Sequence, residues 1–353
     1  MTQHAEPPRT PAATPAHGVS PDGAYGRQSG RDAPLRTTTP SVSGRRRRGR
    51  RGEQLMVPEA SFESYYGRPI LKPPTWKALD IAGYLFLGGL AGASSLLAGG
   101  ADVGNRPGLA RVSRIGAAGA ISVSLLALVH DLGKPTRFVN MLRVAKPTSP
   151  MSVGSWLLSA YAPLAVGAAA LDVAGLLPRT RTAAGLGAAV VGPAVAAYTA
   201  VLLADTAVPA WHGPHRELPF VFVGSAARAA GGLGLLAAPS AQIGPAQRLA
   251  LFGAAAESVA VHRMPANAGL PGECFRQGRA GTLLRNARIL TAAGSALVVA
   301  GFRVPVAGRV GGAALLAASA CTRFGLFAAG VASTEDPRYV VEPQKRSAAA
   351  RGA

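Results

Sequence analysis

From Ala78 onward the chain alternates between long apolar blocks, each roughly 17 to 25 residues, and short segments of Arg, Lys, Asp, Pro and Gly. A soluble core would instead show apolar stripes interleaved with charge. Crossing about 30 Å of hydrocarbon takes about 20 apolar residues in a helix, so these blocks have the length of a bilayer. The pattern predicts eight helices, over Ala78–Ala101, Ser113–Val129, Met151–Leu177, Thr182–Leu203, Leu218–Ala238, Ala246–Val261, Leu283–Gly301 and Val310–Val331. Arg285 and Arg288 make the seventh the weakest of them. Small residues run through all of these blocks, including Gly88 and Gly92 spaced as GxxxG, which lets helix backbones approach closely. The fold class is therefore an all-α membrane protein, a bundle of eight transmembrane helices over residues 78–333, behind a disordered N-terminal tail.

The flanking segments have a different character. Residues 1–54 are rich in Pro, Gly, Ser, Thr and Arg without hydrophobic periodicity, too polar to offset the entropy of ordering, and are expected to be disordered. The Arg45–Arg48 run with Arg50 and Arg51 reads either as a solvated charge cluster that sets topology or as a contact for anionic lipid. No compact apolar region with a small-residue cleavage site follows these arginines, so they do not make a secretion signal. Residues 55–77 place Phe62, Tyr65, Tyr66, Ile70 and Leu71 among Pro and Gly, the pattern of an extended segment docked on something or of an aromatic interface anchor. Residues 334–353 form a short C-terminal tail.

The formal charge of +20 on 353 residues raises the question of nucleic acid. Placement answers it. Outside the tail the basic residues flank apolar blocks, where topology and lipid headgroups account for them, so no nucleic-acid partner is expected. Lys72, Lys77, Lys134, Arg137, Arg143, Lys146 and Arg216 fall on one side of the predicted bundle, with the Arg263 to Arg288 group and the C-terminal Arg338, Lys345 and Arg346. Arg106, Arg111, Arg114, Arg179, Arg181, Arg248, Arg303 and Arg309 fall on the other. The richer side is the cytoplasmic one by the positive-inside rule, which puts both termini in the cytoplasm of a multi-pass protein of the cell membrane. The two cysteines, Cys274 and Cys321, are too few for an iron–sulfur cluster, and no CxxC occurs.

Candidate chemistry gathers where the second predicted span meets the third. The sequence there runs Val129-His130-Asp131-Leu132-Gly133-Lys134-Pro135-Thr136-Arg137-Phe138, and the next helix opens on Ser149-Pro150-Met151-Ser152. Gly133 and Pro135 suffice to stop one helix, and Ser149 with Pro150 to start the next. Nothing in helix termination requires His130, Asp131, Lys134 and Arg137 together. Such a group at a membrane boundary either fixes topology or suits a ligand with an apolar tail and a polar head, such as a quinol, whose oxidation needs proton acceptors. Deeper in the blocks lie Arg228, Glu257 and Arg323, with Asp205 at the end of the fourth. Charges at that depth must pair or be hydrated, which leaves two readings, a structural ion network or a proton path. Trp211 reads as part of an interfacial aromatic belt. His130, His212, His215 and His262 all fall near the inner face without a pair deep on facing helices, so no haem is expected.

These residues resemble the NrfD/PsrC family, the membrane subunits of polysulfide reductase-like and nitrite reductase-like complexes. The resemblance rests on Trp76, on Tyr84-Leu85-Phe86-Leu87-Gly88-Gly89-Leu90-Ala91-Gly92, on His130 to Pro135 with Arg137-Phe138, on Ser149 to Ser152 with Trp156, on Ala204 to Trp211 and on Glu217 to Phe220. It covers roughly residues 56–335, and the arginine-rich tail is extra to it. It implies an eight-helix subunit without haem that exchanges electrons with a quinone pool, menaquinone or ubiquinone. Its partners would be a ferredoxin-like iron–sulfur subunit and a molybdenum- or tungsten-type catalytic subunit. Carried onto this chain, the resemblance assigns quinone binding to Trp76, Tyr84, His130, Asp131, Lys134, Arg137, Met151 and Trp156, with His130 and Asp131 catalytic. Some complexes of this kind carry their soluble subunits outside the cytoplasm, whereas the charge bias here puts the pocket end inside. The competing function is a secondary transporter that uses the intramembrane Arg and carboxylate residues, which an inverted internal repeat would favour. A third reading is a structural anchor without a ligand.

Overall fold

Proline at the first or second position starts helix after helix in this chain, where its missing N–H and fixed φ cost nothing. The computed structural model describes residues 70–351 other than Pro135, with side chains through Arg346. The expected disorder of residues 1–54 and all of the 55–77 segment before Ile70 lie outside the described residues. The helices are α1 (Ala78–Val103), α2 (Pro107–Asp131), α3 (Thr136–Leu142), α4 (Pro150–Ala174), α5 (Pro178–Ala204), α6 (Pro209–His212), α7 (Leu218–Ala237), α8 (Gly244–Asn267), α9 (Gly278–Ala300), α10 (Pro305–Glu335) and α11 (Arg338–Arg351). Single 3-10 segments, Ser240–Gln242 and Leu270–Phe275, precede α8 and α9. No strand occurs among the described residues.

Seven of these helices are long and apolar enough to cross a membrane: α1, α2, α4, α5, α7, α9 and α10. Seven of the eight expected spans thus qualify by length and composition, and the weakest is not the one expected. It is α8, the sixth predicted span, that falls short, because Gln247, Arg248, Glu257, His262 and Arg263 dilute its apolar residues. The α9 helix qualifies despite Arg285 and Arg288. Even so, α8 runs the full height of the bundle. The Gln242 Oε1 just ahead of it accepts from the Gly108 and Leu109 N–H groups at 2.7 and 3.2 Å, capping α2, and Asn267 at its other end donates to Glu217 at 2.5 Å, next to the start of α7.

The long helices form two successive groups of four, α1, α2, α4, α5 and then α7, α8, α9, α10, joined mainly by α1 against α7. Both groups begin at the same end of the bundle, here the near end, so the second repeats the direction of the first and is not inverted. Close crossings hold each group. A Cβ on Gly92 of α1 would collide with the Gly192 carbonyl of α5, and one on Gly232 of α7 with the Gly312 carbonyl of α10. Gly88 instead faces Ser124 of α2, so the GxxxG pair serves two different neighbours. Large apolar side chains such as Val123, Leu126, Val190, Phe252 and Ile289 point outward, as a lipid-facing surface requires.

At the far end α2 starts at Pro107 rather than Ser113, so Arg114 lies two turns inside the helix rather than in its first turn. There it is buried against Asp102 of α1 and, at 2.9 Å, Asp172 of α4. Arg181 shares Asp172 at 2.9 Å. The C-terminal residues are likewise more ordered than a tail: Arg338 bonds Glu273 at 2.8 Å and Asp336 at 2.9 Å, tying α11 to the segment before α9.

Candidate functional site

At the near end α1 begins beside the last turn of α2. Asp80 sits in the first turn of α1, where the helix dipole favours a carboxylate. Its Oδ2 lies 2.9 Å from Nδ1 of His130, with Asp80 13% and His130 65% exposed. One ring nitrogen is thus held from inside the bundle while the remainder of the imidazole faces outward. Asp131, the next residue, turns to a different task. Its Oδ1 accepts the Lys77 backbone N–H at 3.3 Å, just ahead of α1. Gly133 at φ +71° ends α2, and Arg137 donates to the Leu132 carbonyl at 3.1 Å, a cation at a helix C-terminus. Lys134 is exposed beside it.

The start of α4 follows the connection after α3 at the same end of the bundle. Ser149 caps it by accepting the Ser152 N–H, and Ser152 in turn donates to the Val144 carbonyl at 2.7 Å. Trp156 Nε1 donates to that same carbonyl at 3.4 Å. The Trp156 ring and Met151 are both about half exposed, on the first turns of α4, and are tied to the connection after α3 rather than to His130. Trp76 leaves in another direction. It stacks on Trp211 with ring centroids 5.9 Å apart, and Trp211 packs on Phe327 at 5.7 Å. Trp211 is corrected from belt to core: it is fully buried, donates Nε1–H to the Leu326 carbonyl at 2.8 Å and fills the space left by Gly330. Tyr84 is also buried, one turn inward of Asp80, where its carbonyl accepts from Ser124 at 3.1 Å.

The intramembrane charges converge, with one exception. Arg228 of α7 meets Glu257 of α8 at 2.8 Å, bonds Thr322 of α10 at 2.9 Å and also bonds Thr291 of α9. Thr322 passes its own hydroxyl to Glu257 at 2.8 Å. Arg323 stacks over the Phe222 ring at 3.6 Å and donates to the Phe222 carbonyl at 2.7 Å, but its Nε and Nη1 have no hydrogen-bond partner. Gly89 of α1 makes room for it. Asp205 stands apart, exposed at the C-cap of α5. The neighbouring Thr206 lines a cleft of about 510 Å³ with His212, Leu270, Tyr339 and Arg346 among others.

No group of three metal-ligating side chains occurs among the described residues. His212 and His215 stack on each other at 5.6 Å and engage backbone carbonyls through Nδ1, an arrangement unlike two axial ligands facing across a ring. Residues 72–242 match the family described as polysulphide reductase, NrfD. The NrfD match bears out the resemblance over that stretch, narrower at both ends than the motifs alone implied. It takes in the whole near-end group, His130, Asp131 and Trp156 included, and Arg228. It stops ahead of α8, so Glu257 and Arg323 lie beyond the NrfD segment. No curated protein matches the chain.

Reading the sequence missed Asp80, Asp102, Asp172, Thr291 and Thr322. Asp80 carried a signal, a carboxylate in the first turn of a predicted span. The threonines carried none, since Thr is common on helices that pack closely.

Proposed function

We propose that this chain is a quinone-reactive membrane subunit of a multi-subunit oxidoreductase, exchanging electrons between the quinone pool and an iron–sulfur partner. The observation that carries the reading is His130, anchored at Nδ1 by Asp80 and open on its other side, at a bundle end within an NrfD-matching segment. The surroundings suit a quinone: an imidazole edge for a ring oxygen, Lys134 and Arg137 for developing negative charge, and the half-exposed Met151 and Trp156 for apolar ring and tail. Asp131 shapes the same corner, Tyr84 lies buried one turn inward of Asp80, and Trp76 stacks on Trp211.

Bound quinol supplies two electrons and two protons and leaves as quinone. His130 accepts a proton at Nε2, the nitrogen Asp80 leaves open, and releases it to water at the boundary. The electrons leave for a ferredoxin-like subunit that joins the chain to a molybdenum- or tungsten-type catalytic subunit. The chain holds no haem or cluster of its own in this reading, because it has only two thiols and His212 and His215 are engaged by backbone carbonyls. The α8 helix crosses as an eighth span, with Gln247 and Glu257 turned inward, and both termini lie in the cytoplasm of a cell-membrane protein. Arg228, Glu257 and Arg323 form a second functional element in this reading, a hydrated proton path, supported by the unpartnered N–H groups of Arg323; Asp205 would stand at its near-end mouth. Nothing favours the transporter, whose inverted repeat the successive helix groups lack.

The test is His130→Ala in the assembled complex. Turnover with a soluble quinol analogue should be abolished and quenching of Trp156 fluorescence by that analogue weakened, with insertion and iron–sulfur partner pull-down retained. Unchanged turnover overturns the reading.

A further inference from the structure

We infer that Asp80 is the carboxylate that positions His130 for proton transfer, and that Asp131 acts instead by docking the end of α2 onto the start of α1; this rests on the quinone reading above. The sequence presents Asp131 as the obvious partner, because it adjoins His130 in the chain. Adjacent helix residues point about 100° apart, however, and the structure separates their tasks accordingly. Asp131 Oδ1 accepts the Lys77 N–H, a group that α1 leaves without an intrahelical acceptor. Asp80 faces Nδ1 of His130 at 2.9 Å and is largely withdrawn from solvent, while the imidazole is mostly exposed. A carboxylate on Nδ1 selects the tautomer with Nδ1–H, which places the lone pair on Nε2 and stabilises the imidazolium that follows.

One hydroxyl O–H of the bound ring breaks and its proton forms an N–H bond at His130 Nε2, as an electron leaves for the iron–sulfur centre of the partner subunit. His130 then gives that proton to water at the near end and takes the second in the same way, the second electron following the first. Asp80 exchanges no proton. It is a positioning residue, touching the imidazole and not the ring.

The experiment compares Asp80→Asn, Asp80→Glu, Asp131→Asn, Asp131→Ala and His130→Ala in the full-length chain, alone in nanodiscs and assembled with its partner. Carbethoxylation of His130 by diethyl pyrocarbonate, located by peptide mass, reads Nε2 nucleophilicity without any quinone present. Asp80→Asn should slow that reaction about tenfold and lower kcat about 10²-fold with KM nearly unchanged. Asp80→Glu should recover part of both, and the thermal midpoint should hold in each. Asp131→Ala should lower the thermal midpoint, whereas Asp131→Asn, which keeps an acceptor oxygen, should not, and should reduce kcat less than Asp80→Asn does. If Asp80→Asn leaves His130 reactivity and kcat at wild-type values while His130→Ala abolishes turnover, the assignment of Asp80 is overturned and the quinone reading stands. A fall in thermal midpoint that accounts for the Asp80→Asn loss also overturns it. Turnover that survives His130→Ala overturns both.

Discussion

Arg228 Nε on α7 lies 2.8 Å from Glu257 Oε2 on α8, with the two side chains 1% and 4% exposed. Arg323 stands in the same interior with two N–H groups unpartnered, so the core holds two guanidinium groups against one carboxylate. Removing a member therefore has opposite effects on charge balance. Glu257→Ala leaves two uncompensated cations and should cost about 3–5 kcal/mol. Arg228→Met leaves Glu257 beside Arg323 and should cost distinctly less. Thr291 keeps its bond to the Ala287 carbonyl and Thr322 its bond to Ala318 in either case. Thermal unfolding of the detergent-solubilised protein gives the order, and a reversed order would remove the charge argument.

The contact between α1 and α5 turns on two glycines whose backbones touch. A Cβ on Gly92 would meet the Gly192 carbonyl, and neither is the far end of a flexible side chain. Gly92→Val should push the helices apart at a cost of about 1–3 kcal/mol or more, seen as loss of monodisperse protein in size-exclusion chromatography. Gly119→Ala, with nothing within 4 Å of the new methyl, is the control and should behave as wild type. Equal behaviour of the two variants would place the α1–α5 contact elsewhere.

How much of this could be read from the sequence follows from what a bilayer imposes. Backbone groups in hydrocarbon must bond within their own helix, so apolar residues come in unbroken runs and each predicted span meets a real helix. Ends were less legible. Arg114, at the very edge of the second predicted span, gave no sign of its burial because its partners, Asp102 and Asp172, come from two other helices. The α8 helix looked like an ordinary span because its polar residues cluster toward its two ends around an apolar middle, and only packing shows Gln247 and Glu257 turned inward while Arg248, His262 and Arg263 stay exposed. At the candidate site the near-end location of His130 was plain, but which carboxylate it meets depends on how α1 and α2 dock, which local spacing does not encode.

Alkaline pH should loosen the C-terminal anchor. Burial pushes the Cys274 thiol up to about 11 from 9.0, and burial pushes the Tyr339 hydroxyl up to about 12 from 10.0. Burial works against the Arg338 cation, but the Tyr339 hydroxyl with Asp336 and Glu273 outweighs it and raises this group too. For Cys274 and Tyr339 the folded form prefers the neutral state. Their contribution is therefore complete below pH 9 and is lost as pH rises through about 11 and 12. Limited proteolysis of α11 across that range should accelerate on the alkaline side, while Tyr339→Phe should blunt the change. A flat profile from pH 8 to 12 would show that this cluster does not hold α11.

Topology can be decided by two positions that sit at opposite ends of the bundle. Lys146 lies in the connection between α3 and α4, at the near end with the start of α1, while Arg309 lies in the first turns of α10, at the far end. Flanking basic residues are more numerous at the near end, which argues for a cytoplasmic location. The choice bears on the proposed mechanism, because His130 shares the near end with Lys146: protons that the proposed reaction releases there would enter the cytoplasm in one orientation and leave the cell in the other. Single cysteines at Lys146 and Arg309, in a chain with Cys274 and Cys321 replaced by Ser, should be labelled by a membrane-impermeant maleimide only from inside and only from outside, respectively. The reverse labelling would invert the assignment and place the near end, with the proposed quinol site, outside the cytoplasm. Labelling of both from one side would mean an even number of crossings between Lys146 and Arg309, and would take α8 out of the membrane.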